Sequence, residues 1–127
     1  MAEKDFTRVF AELRSILKPY APGMEVNVDT DVEYGLQTRW RRAKDGYPGY
    51  FASVRQGKRY VTFHLMPLYG FPEMVDEISP ALGKRMQGKS CFNFTRVDAE
   101  LFAELETLTR RGYETFRAHG LLEGSDG

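Results

Sequence analysis

The sequence predicts an α+β domain, an antiparallel sheet with an N-terminal and a C-terminal helix packed on one face, and three observations predict it. Residues 50–55 and 60–66 are rich in β-branched and aromatic side chains, with Gln56-Gly57-Lys58 between them, which reads as a β-hairpin whose glycine is free to take a positive φ. Two stretches near the ends, residues 5–18 and 98–117, carry apolar residues at spacings of three and four, as amphipathic helices do. Between them, residues 24–30, 34–42 and 90–94 alternate with the period of a strand.

In the first helical stretch the stripe is Phe6, Val9, Phe10, Leu13, Ile16 and Leu17, and Pro19 and Pro22-Gly23 end it. The first strand alternates loosely, Met24, Val26 and Val28 against Glu25, Asn27 and Asp29. The second places Tyr34, Leu36, Thr38 and Trp40 on one side and Gln37, Arg39 and Arg41 on the other. Asp45-Gly46 and Pro48-Gly49 are turn residues leading into the central stretch that runs from Tyr47 to Tyr69. In its second arm Val61, Phe63 and Leu65 form an apolar face, and Tyr60, Thr62, His64 and Met66 a mixed one. After the hairpin, Phe71-Pro72-Glu73 opens a short helical stretch, and Ser79-Pro80 restarts it with a cap and a preorganised first residue. Leu82 and Met86 are expected on one face of that helix and Gly88 as its left-handed C-terminal cap. The next strand puts Phe92 and Phe94 on one face and Cys91 and Asn93 on the other. Asp98 caps the last helix, on which Gly112 permits close approach to a neighbour. The expected domain is residues 5–118, with residues 119–127 a frayed tail.

Composition bounds the function. A chain of 127 residues with 42% hydrophobic content supports one core, and a net charge of +0 argues against a general nucleic-acid binder. The lone Cys91 forms no internal disulfide, and neither a leader nor a membrane span is evident, so a cytoplasmic protein is the simplest expectation. Glu25, Asp29, Asp31 and Glu33 make one region acidic, and Arg39, Arg41, Arg42, Lys44, Arg55, Lys58 and Arg59 make the next basic. These charges read as solvated edges that discourage strand aggregation, or else as a cation site and an anion site.

Residues 83–90, GKRMQGKS, match the phosphate-loop pattern letter for letter. That mechanism needs a strand before the loop and a helix after it, and here a helix leads in and a strand leads out. Nucleotide binding is therefore not expected from this segment.

The run from Phe51 to Phe116 resembles the YdhG-like family of small bacterial domains of unknown function. The resemblance rests on Tyr60-Val61-Thr62-Phe63-His64-Leu65-Met66-Pro67, Ile78-Ser79-Pro80, the string from Met86 to Phe94, and Glu100-Leu101 with Leu105. It implies an α+β domain with helices on one face of an antiparallel sheet and supplies no catalytic residues. Some relatives are described as frataxin-like iron chaperones, but this chain lacks an acidic helical ridge.

The mixed sheet face is the expected site. Tyr60, Thr62 and His64 from one strand and Cys91 and Asn93 from another share it, with Trp40 or Arg39 nearby and Lys89 on a basic rim. The leading expectation is a non-enzymatic domain that binds a small ligand, anions among the candidates, or a protein partner, without a cofactor. The alternatives are an iron chaperone using Glu25, Asp29, Asp31 and Glu33, and, more remotely, a cysteine-dependent enzyme in which His64 activates Cys91. No metal site is expected, since His64 and His119 stand far apart, and a homodimer is left open.

Overall fold

A computed structural model describes residues 5–46 and 48–125; Tyr47 lies outside the described residues. Strands β1 (Glu25–Asp29), β2 (Glu33–Arg41), β3 (Pro48–Gln56), β4 (Val61–Leu65), β5 (Met86–Gln87) and β6 (Cys91–Phe94) form a sheet in the order β1-β2-β3-β4-β6-β5. All neighbours in this order are antiparallel. A seventh strand, β7 (Glu123–Ser125), runs parallel to β2 beside Arg39 to Arg41.

Helices α1 (Phe6–Leu17) and α4 (Ala99–Ala118) cover one face, with two short helices, α2 (Met66–Gly70) and α3 (Pro80–Gly83), against α4. Asp5 caps α1 through Arg8 N–H and Asp98 caps α4 through Leu101 N–H, so both helices start where a side-chain oxygen meets the unpaired amides of the first turn. The stripe Val9, Phe10, Leu13, Ile16 and Leu17 is buried against Val54, Val61, Phe63 and Leu65 in one core. Phe51 forms an aromatic cluster with Tyr20, Tyr113 and Phe116, at centroid distances of 5.7 to 6.3 Å. Gly112 is where α4 meets α2: a Cβ there would lie 2.8 Å from Pro67 Cγ.

Four local expectations are corrected. Gly57 does not take a positive φ; the hairpin closes instead with Gly57 N–H donating to the Tyr60 carbonyl at 3.0 Å. The 66–70 segment is helical because Met66-Pro67 preorganises a first turn, so β4 ends at Leu65. The helix after Ser79 stops at Gly83, Met86 belongs to β5, and Gly88, with φ 80°, makes the β5–β6 turn rather than a helix cap. The tail folds back: Leu122 accepts from Arg39 N–H at 2.8 Å, and β7 extends the contact. The phosphate-loop string lies across α3, β5 and the turn into β6, so its Lys89 and Ser90 open a strand.

Candidate functional site

Pairing across the sheet defines the face that the helices leave open. Gly35, Ser53, His64 and Cys91 are successive partners across β2, β3, β4 and β6, and Glu33, Arg55, Thr62 and Asn93 form the adjacent row. Two register slips shape this face. Between Val26 and Val28 the slip carries both Asn27 and Val28 toward Gly35, and a second slip leaves Phe51 unpaired while Tyr50 pairs with Gln37.

The result is a cleft of about 240 Å³. Its floor is at Ser53, the cross-strand partner of Gly35, and its walls include Asn27, Glu33, Tyr50, His64 and Met66. Asn27 closes in because Gly35 has no side chain: a Cβ at Gly35 would lie 2.5 Å from Asn27 Oδ1.

His64 is half-buried, and burial holds its pKa below the ordinary 6.5, so a neutral imidazole faces the cleft at neutral pH. Its Nε2 lies 3.0 Å from the hydroxyl of the buried Ser90. In the next row Thr62 donates to Asn93 Oδ1 at 2.8 Å. At the edge beside the cleft, Asn27 donates to Gln37 (3.3 Å), Gln37 to Glu25 (2.9 Å), and Arg41 forms an ion pair with Glu25. Hydrogen bonds from Gln37 and then Arg41 lower the Glu25 pKa. This chain fixes the β1 edge that carries Asn27.

The expected site residues are thus only partly brought together. Thr62, His64, Cys91 and Asn93 share the open face, as the alternation of β4 and β6 requires, though of these only His64 lines the cleft. Tyr60 and Thr62 line a separate depression at the hairpin end. Trp40 is a correction: the parity of β2 puts it with Tyr34, Leu36 and Thr38 on the helix-covered side. Arg39 is exposed and aligned with Glu123 of β7, beyond the Gln37–Tyr50 pair. Lys89 is on the β5–β6 turn, its Nζ 5.9 Å from the Tyr69 ring. Sequence reasoning missed Asn27, Gly35, Tyr50 and Ser53, because two bulges decide their placement; the single glycine inside the β2 pattern was the available signal.

For catalysis, the hydrogen bond of His64 goes to Ser90, and Cys91 is its cross-strand neighbour. Among the described residues, no group of three His, Cys, Asp or Glu side chains could hold a metal ion, and no helix is long and apolar enough to cross a membrane.

No family model, curated protein or solved structure matches this chain. The chemistry of the cleft therefore carries the functional argument.

Proposed function

We propose that the chain is a non-enzymatic binding domain that takes a small, partly apolar molecule on its open sheet face, in the cleft above Ser53. The observation that carries this reading is the concavity itself, a small residue, Ser53, in the middle of a sheet face ringed by larger ones of mixed chemistry. Glu33 and the Asn27 side-chain carbonyl oxygen are acceptors, the neutral His64, with Nε2 engaged by Ser90, offers Nδ1 as donor or acceptor according to its tautomer, and Tyr50 and Met66 add apolar surface. These groups favour a neutral or hydrogen-donating ligand over an anion. A lone thiol suits a reducing compartment, and we place the protein in the cytoplasm. The iron-chaperone alternative is less favoured because Arg41 and Gln37 already engage Glu25.

The test is a thermal-shift screen of uncharged and cationic metabolites. A ligand at about 100 times its dissociation constant adds roughly 2.7 kcal/mol, which is several degrees for a domain of this size. The shift is expected to vanish in Ser53→Leu, which fills the cleft, and to shrink in His64→Ala. A hit retained in full by both variants would move the site elsewhere.

A further inference from the structure

The end of the sheet where β3 turns into β4 holds a second depression, of about 350 Å³, lined by Arg55, Gly57, Lys58, Arg59, Tyr60 and Thr62. Among the described residues, the ion pairs within 4.0 Å are Arg8–Glu12, Arg41–Glu25, Arg42–Asp45 and Arg111–Glu77. Arg55, Lys58 and Arg59 are in none of them. Three cations around one concavity, with no carboxylate in its lining, create a local positive potential on a chain whose net charge is +0. The turn amide of Gly57 already donates to Tyr60 and the Thr62 hydroxyl to Asn93, so the charged donors of the three cations, with the Tyr60 hydroxyl beside them, are left for a ligand. Tyr60 is 39% exposed and presents aromatic surface beside them.

The neighbouring turn narrows the class of anion. Gln56 N–H donates to the Val32 carbonyl at 2.7 Å, and Glu33 is the cross-strand partner of Arg55, so the acidic β1–β2 turn with Asp31 stands next to the basic one. A long polyanion laid across this end would meet both signs. A compact anion seated in the depression meets the positive one at close range, where Coulomb attraction is strongest. Guanidinium forks match phosphate oxygens, and an aromatic ring offers a surface for an organic group.

We infer that the β3–β4 turn binds the phosphoryl group of a small phosphorylated molecule, with Arg55 and Arg59 on its oxygens, Lys58 adding charge and Tyr60 against its organic part. This site is distinct from the cleft and independent of the reading given to it.

The experiment is an NMR titration of the isotopically labelled protein with phenyl phosphate, inorganic phosphate, phenol and a short oligonucleotide. Phenyl phosphate is expected to move the Gly57 and Tyr60 amides and to bind more tightly than inorganic phosphate. Arg59→Gln and Arg55→Gln should each weaken it about tenfold, the loss of one charge-assisted hydrogen bond. Lys84→Gln and the cleft-filling Ser53→Leu should leave it unchanged. No shift at millimolar phenyl phosphate, an equal response to phenol, or full retention in both arginine variants overturns the proposal. Tighter binding of the oligonucleotide than of phenyl phosphate overturns the preference for a small ligand.

Discussion

His64 and Thr109 show how single polar groups drawn wholly or partly out of water set measurable properties. Burial lowers the His64 pKa, so the folded chain disfavours the imidazolium more than the unfolded chain does. The unfolded state binds the proton more readily, and the associated stability is complete above the unfolded value of 6.5 and lost as pH falls through the folded one. Urea unfolding between neutral pH and roughly pH 5 should show stability falling toward acid, with a shallower fall in His64→Gln. An unchanged slope in the variant would assign the acid sensitivity to other groups. Thr109, fully buried on α4, has a hydroxyl oxygen without a hydrogen-bond partner. An unsatisfied buried group costs about 1–3 kcal/mol, whereas a methyl of the same size costs nothing there. Thr109→Val should therefore raise the unfolding free energy by about 1 kcal/mol, and a loss in chemical denaturation would show that the hydroxyl does have a partner in solution.

At the scale of elements, α3 is too short to hold itself and is secured from outside. Ser79 Oγ accepts from Leu82 N–H at 3.2 Å and donates to Glu104 Oε1 at 2.7 Å, while Ser79 N–H donates to Glu104 Oε2 at 2.8 Å. One carboxylate on α4 thus docks the start of α3. Ser79→Ala removes the cap and one bond to Glu104, and should cost about 1–2 kcal/mol in equilibrium unfolding. A cost near zero would mean that α3 adds nothing to global stability. Ser79-Pro80 was legible in the sequence because capping is local chemistry. The same holds for Asp5 and Asp98, for the hydrophobic stripes of α1 and α4, and for the alternation in β2, β4 and β6. Met86 was misplaced because two residues define no period, and only pairing with Phe92 makes them a strand. The cleft was half legible: alternation put His64 on the open face, but the bulges at Asn27 and Phe51 depend on the partner strand, which no local pattern encodes.

For the whole molecule, two-sidedness organises stability and recognition together. One sheet face is sealed by α1 and α4, and the other presents side chains of mixed chemistry that the core does not need. That separation leaves the cleft free to vary without unfolding the protein. The least anticipated global feature is the return of the tail along β2. At residues 34–37, β2 pairs with β1; farther along the same strand, at Arg39 to Arg41, it pairs with β7. Leu121 and Leu122 pack against the core, and the Leu121 carbonyl lies on the side of Gly49 occupied by Thr38 and Trp40. The tail therefore covers an otherwise open strand edge and helps shield the half-buried Trp40, the one tryptophan in the chain. Ending the chain after Gly120 should uncover both. The expected outcome is a red-shifted tryptophan emission, a lower midpoint of thermal unfolding, and a greater tendency to associate through the exposed β2 edge, read by fluorescence, calorimetry and sedimentation. Emission and midpoint matching the full chain would show that the tail adds no order, and that the sheet edge at Arg39 to Arg41 is protected by its own arginines.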